Sequence, residues 1–122
     1  MQDANYKMTK TNKQLIGIDL FAGAGGLSLG AEMAGISMRY AVEADAYAAA
    51  SYKRNFKNAT VFCEDIRKLS ADKLNTQPVF IIMGGPPCQG FSLSNTKTRD
   101  MSNPNNRMFE EFLRFVDKIA PT

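Results

Sequence analysis

An apolar run that empties into glycines decides most of what this chain can become. Residues 15-LIGIDLF-21 form a short, nearly continuous apolar segment, the pattern of a strand buried on both faces of a parallel sheet. The cluster 23-GAGG-26 follows at once. A helical stretch, 27-LSLGAEMAG-35, comes next, with Leu27, Ala31 and Ala34 on one face and Gly35 as its stop. The same alternation then repeats. A second strand is predicted over 38-MRYAVEA-44, and Asp45 caps a helix over 46-AYAAASYKRNF-56, where Ala48, Tyr52 and Phe56 recur at helical spacing. A short third strand, 60-TVFCEDI-66, precedes a small helix near residues 70–74, and 79-VFIIM-83 reads as a fourth strand. The helix 108-MFEEFLRFVDKIA-120 carries Phe109, Phe112, Leu113, Val116 and Ile119 in a broad stripe that reads as core packing, and Pro121 closes it.

Strand–helix alternation predicts an α/β fold: about four parallel strands with flanking helices, a partial Rossmann-like sheet. A fifth strand is the expected next element after Pro121, which leaves the fourth strand or its neighbour position as an open apolar edge. Residues 15–122 therefore read as the front part of a larger catalytic domain. Residues 1–14 are polar, lack a signal-peptide core, and read as a disordered lead-in.

Two residue types narrow the chemistry. The chain has no histidine, so a Ser-His or Cys-His pair is excluded within it. Its two cysteines, Cys63 and Cys88, form no CxxC and cannot complete a tetrahedral zinc site, so no metal is expected. No stretch is apolar for the roughly 20 residues of a membrane helix, and a reducing, cytoplasmic setting is the simplest inference. The net charge of +3 is compatible with nucleic acid but equally with ordinary solvated surface.

The glycine turn suggests a nucleoside cofactor. The dinucleotide pattern GxGxxG, counted from Gly23, requires a glycine where this chain has Ser28, and the GK[ST] of a phosphate loop is absent. A nicotinamide dehydrogenase half is thus disfavoured. Glu43, ending the second strand, can accept from ribose hydroxyls, and Asp65, ending the third, from an adenine amine. For Glu43 alone, a solvated turn acid is as good a reading; for the ordered set it is not. The helix beyond Gly26 offers N–H groups to a carboxylate, and no row of lysines is present for a pyrophosphate. S-adenosylmethionine suits this arrangement better than a dinucleotide.

The second constraint is 84-GGPPCQGFS-92, a cysteine on a stiff loop just beyond an apolar run. Pro86 and Pro87 fix their φ angles and remove two donors, holding Cys88 at a set position. A free thiol titrates at about 8.5, so a nucleophilic Cys88 needs a stabilised thiolate. Each unit of lowering takes about 1.4 kcal/mol of preference for the anion, from backbone N–H groups or a cation. Cys63, inside 61-VFCED-65, reads by contrast as inert filling. The long polar stretch 93–107 exceeds ordinary loop lengths and reads as functional or disordered.

Together these segments resemble the N-terminal part of the DNA (cytosine-5)-methyltransferase family. DLFAGAGG resembles its first motif, VEAD and EDI the next two, GGPPCQGFS its catalytic motif, and NNRMFEEFLRF the motif after its mobile loop. The resemblance runs from about Leu15 to the end. It implies an S-adenosylmethionine-dependent transfer of a methyl group to C5 of a flipped cytosine, with Cys88 bonded to C6. It further implies that Phe21 stacks on adenine, Glu43 holds the ribose, Asp65 holds the adenine amine and Ile66 packs beside the base. The backbones of Gly23, Gly25 and Gly26 would line the methionine end, and Pro87 would position the cytosine beside Cys88. Gln89, Ser92 and Ser94 would face double-stranded DNA, and Lys97, Arg99 and Arg107 would lie near phosphates; for these three, ordinary solvated charge is a rival reading. Ala44 departs from members that carry a large side chain against the adenine. Later family motifs and the target-recognition domain are absent from these 122 residues. The chain alone is therefore expected to be inactive and to need the missing C-terminal part, from the same gene or a second subunit. A non-catalytic cofactor-binding partner of a split methyltransferase is the alternative, against which an intact Cys88 weighs.

Overall fold

Four parallel strands in the order β3-β2-β1-β4 make one sheet in the computed structural model, which describes residues 14–87 and 107–122. The strands are β1 (Leu15–Leu20), β2 (Ile36–Val42), β3 (Thr60–Phe62) and β4 (Ile81–Gly84). Helices α1 (Gly26–Met33) and α2 (Ala46–Asn55) connect the first three, two 3₁₀ turns (Ile66–Lys68 and Ala71–Leu74) lead to β4, and α3 (Arg107–Ile119) follows. β1 is central and buried from its second residue onward, as its apolar run predicts. No helix among the described residues is long and apolar enough to cross a membrane.

The core lies on both faces of the sheet. On one, Ile18, Leu20 and Val42 meet Ile66, Leu69, Leu74, Phe115 and Ile119, which brings α3 and the 3₁₀ turns together. On the other, Ala41 meets Ala22 and the tilted ring pair of Tyr52 in α2 and Phe56 at its C-cap. Gly84 ends β4 against β1 so closely that an added Cβ would lie 2.1 Å from Leu20 O, so only glycine lets the two strands pair there. Just before β4, Val79 O accepts from Thr122 N–H at 2.9 Å.

Three expectations need correction. The inward face of α1 is Ser28 and Ala31, whereas Leu27 is 55% exposed and Ala34 is also exposed. A polar residue replaces the apolar one because Asp19 of β1 waits opposite it. The stripe of α3 is rotated: Phe115 and Ile119 are buried, Met108 and Phe112 pack beside them, and Phe109 and Leu113 are 42% and 48% exposed. Strand β3 stops at Phe62, since Asp65 leaves the ladder to cap the next turn; Cys63 is therefore exposed rather than inert filling.

Candidate functional site

The strand order fixes where a ligand belongs. From β1 the chain moves outward through β2 to β3, then returns to the other side of β1 as β4. The carboxyl ends of β1 and β4 thus flank a reversal of direction, which opens a crevice in sheets of this kind. The glycine turn leaves one of these ends and residues 85–87 leave the other. A cleft of about 290 Å³ lies at these ends. Phe21, Ile66, Met108 and Pro87 provide apolar wall, and Glu43, Glu64 and Asp65 supply acids. Val42, Ala44 and Arg67 complete the lining.

Phe21 adopts φ 57°, the left-handed region that a bulky side chain rarely occupies. Such a conformation costs about 1–3 kcal/mol and persists only where the surroundings enforce it. Here Ala22 N–H donates to Val42 O and Gly25 N–H to Ala22 O, locking the turn on either side. The strained backbone keeps the ring on the cleft.

Glu43 is oriented by the main chain. Its Oε1 accepts from Gly23 N–H and its Oε2 from Asp45 N–H, each at 2.8 Å. Asp45 in turn caps α2 by accepting from Ala48 N–H. One carboxylate therefore ties the glycine turn to the start of α2. Each of its oxygens keeps a lone pair for a further donor.

Asp65 is held differently. Its carboxylate accepts from the Arg67 N–H and is forked by the Arg67 guanidinium. These hydrogen bonds hold its carboxyl down at about 2. Little acceptor capacity is left, so an amine reaching Asp65 must displace a guanidinium whose side chain is 58% exposed. Behind this turn, Arg114 of α3 donates to Ile66 O (2.8 Å) and Leu69 O (3.2 Å), pairs with Glu111, and lies over the Phe115 ring. It fastens α3 to the segment that carries Asp65 and Ile66. Nothing in the local sequence around Arg67 or Arg114 announced either role.

The structure thus gathers Phe21, Glu43, Asp65, Ile66 and Pro87 on one cleft, with Gly23 joined to it through Glu43. Gly25 and Gly26 instead border a second hollow with Leu29, Glu32 and Phe56. A Cβ on Gly25 would come within 2.4 Å of Phe56 Cε2, and φ there is 107°, so its glycine is demanded by packing. Arg107 is exposed at the start of α3. Cys88, Gln89, Ser92, Ser94, Lys97 and Arg99 lie outside the described residues.

The cleft thus offers apolar surface at Phe21 and Ile66, two backbone-oriented acceptor oxygens at Glu43 and a guanidinium-covered acid at Asp65.

The chain has relatives among known proteins. Residues 15–122 match the family described as C-5 cytosine-specific DNA methylase. The chain is 46% identical over 106 residues to the Type II methyltransferase M.DdeI of Desulfomicrobium norvegicum, covering 85% of this chain and 25% of that protein. It is 40% identical over 109 residues to M1.HphI of Haemophilus parahaemolyticus, covering 85% and 29%. A solved structure described as a prophage-encoded DNA modification methyltransferase (E. coli) superposes with a TM-score of 0.74 at 39% identity, covering 88% and 30%. The chain spans 25% to 30% of the length of these proteins.

Proposed function

The chain belongs to the C-5 cytosine-specific DNA methylase family, and from that premise we propose that residues 15–122 are the cofactor-binding and nucleophile-bearing part of an enzyme that methylates C5 of cytosine in double-stranded DNA. The observation that carries the reading is the acid-rimmed cleft at the ends of β1, β2 and β3, with Pro87 on its wall one residue before Cys88. When bound there, S-adenosylmethionine supplies an electrophilic methyl group on a sulfonium.

Phe21 and Ile66 sandwich the adenine, Glu43 accepts from the ribose hydroxyls, and Asp65 accepts from the adenine amine once Arg67 yields. Gly23, joined to the cleft through Glu43, borders the methionine end, and Gly25 and Gly26, which line the neighbouring hollow, shape the turn behind it. Pro87 sets the position of the flipped cytosine against Cys88. Extruding that base costs a few kcal/mol, which contacts from Gln89, Ser92 and Ser94 and phosphate contacts from Lys97, Arg99 and Arg107 offset. The Cys88 thiolate adds to C6, and the electron pair passes to C5, which becomes the nucleophile. After methylation a base removes the C5 proton, and the C6–sulfur bond breaks to regenerate the thiolate.

The chain covers 25% and 29% of the length of these two relatives, and a polypeptide of these 122 residues alone is expected to give no turnover. Trapping tests the mechanism. With duplex carrying 5-fluorocytosine and S-adenosylmethionine, the full-length protein should form a denaturation-resistant adduct, because fluorine cannot leave as the proton does. Cys88→Ser should abolish it. An adduct that survives this substitution, or steady turnover by the 122-residue polypeptide, would overturn the corresponding part of the reading.

A further inference from the structure

Two polar side chains are sealed in the core and have no part in the cleft chemistry described above. Asp19 is 1% exposed and Ser28 0%. Ser28 Oγ donates to Asp19 Oδ2 at 2.6 Å and lies 2.6 Å from Tyr52 Oη. An ionised carboxylate can only accept. With Asp19 charged, Ser28 spends its proton on Asp19 and must accept from Tyr52, so the chain of donors runs Tyr52 to Ser28 to Asp19. A protonated Asp19 permits the reverse order. The buried chain therefore has two arrangements, chosen by one proton.

Its location gives this choice a consequence. Asp19 is in β1, two residues before Phe21; Ser28 is in the first turn of α1; Tyr52 is in α2, whose cap Asp45 shares Glu43 with Gly23. The same Tyr52 ring, with Phe56, forms the floor under Gly25: a Cβ there would lie 3.0 Å from Tyr52 Cδ2. The glycine turn is thus held at one side by Glu43 and from beneath by the polar chain and the aromatic pair. Burial pushes Asp19 up to about 6, with the Ser28 hydrogen bond opposing and Glu43 adding to the rise. Tyr52 is pushed up to about 12, chiefly by burial, against the Ser28 hydrogen bond. The other charged groups acting on the chain are Glu43 beyond β2 and Glu32 on α1, both acids. An apolar trio of equal volume would fill this space at lower cost in desolvation.

We infer that Tyr52 and Ser28 are positioning residues: acting through Asp19, they hold the glycine turn in register with Glu43 and so set the affinity for S-adenosylmethionine. The inference rests on the cofactor reading above and deepens it. Its signature is a pair of opposed pH trends. Asp19 titrates at 3.8 unfolded and about 6 folded, so the folded protein binds more protons in between, and the Asp19 contribution to stability falls as pH rises through this window. Affinity is expected to rise through the same window, because a charged Asp19 allows one donor order where a protonated one allows two. A residue that merely filled the core would move stability and affinity together.

Calorimetric titration of the full-length protein with S-adenosylmethionine between pH 5 and 8, with Tm measured at each pH, tests this. Tyr52→Phe keeps the ring and loses one oxygen; it and Ser28→Ala should each weaken binding at pH 7.5 by about five- to tenfold, the scale of one lost hydrogen bond. Ser28→Thr should restore part of the loss, and Asp19→Asn should flatten the pH profile of affinity while removing the fall in Tm. If Tyr52→Phe and Ser28→Ala lower Tm yet leave affinity and its pH profile as in the wild type, the inference is wrong. Should Ser28→Ala fail to fold, Tyr52→Phe decides alone. A wild-type protein that binds no S-adenosylmethionine at any pH overturns the cofactor reading itself, a result distinct from either of these.

Discussion

Two carboxylates lie just beyond the ends of neighbouring strands, and they are held in opposite ways. Glu43 is aimed by backbone: the N–H groups of Gly23 and Asp45 fix both oxygens and leave each a lone pair free. Asp65 is covered by a side chain: the Arg67 fork and its own N–H use most of the acceptor sites, and Arg67 lies largely in solvent. Backbone donors cannot swing away, so under the proposed function Glu43 would keep its geometry on binding. A guanidinium on a flexible stem can, so Asp65 would exchange one partner for another. The lesson concerns where binding free energy arises. A preorganised acceptor contributes nearly the full value of its hydrogen bonds, whereas a covered one contributes only the difference between two partners.

The comparison is broken most directly at Glu43. Glu43→Gln removes the charge and turns an NH₂ toward one of two backbone donors, so it disorders the glycine turn as well as the ribose site. The dissociation constant for S-adenosylmethionine should rise by about 30- to 100-fold, the loss of two charge-assisted hydrogen bonds, while Tm drops modestly. Equilibrium binding by calorimetry checks it; a change below threefold would mean that Glu43 serves only the turn. Asp65→Asn should be milder, about three- to tenfold, because a bond already shared with Arg67 is all that is lost. Equal effects at the two acids would erase the distinction drawn here.

How far the site could be read beforehand follows the same division. Apolar runs announced the strands, and glycines and acids at their ends announced the rim, since these signals are local in sequence. The helix faces were harder. Both Phe109 and Phe115 fit a helical stripe, and only the docking of α3 on the 3₁₀ turns decides that Phe115 goes inward. Arg114 donates to carbonyls 48 and 45 residues away, a relation that no spacing rule encodes. Ser28 was legible only as a departure from a dinucleotide pattern. Yet a signal was available: a lone Asp19 inside 15-LIGIDLF-21 must find a buried donor, and the hydroxyl in the first turn of the next helix is the nearest to hand.

The smallest expected effect sharpens the comparison most, because it separates a cover from a contact. If Arg67 only covers Asp65, Arg67→Ala removes a competitor and an orienting partner together, and the two consequences oppose each other. Affinity for S-adenosylmethionine at pH 8 should then stay within about threefold of wild type. The acid side behaves differently. Arg67 holds the Asp65 carboxyl at about 2 against an ordinary 3.8, so in the wild type the contribution of this pair to stability is complete above about pH 4 and disappears as pH falls toward 2. In Arg67→Ala it is missing throughout, so the two proteins should differ in Tm above pH 4 and converge below it. A tenfold loss of affinity at pH 8, with Asp65→Asn unchanged from its own expected value, would show that the guanidinium touches the ligand and that Asp65 is not covered but extended.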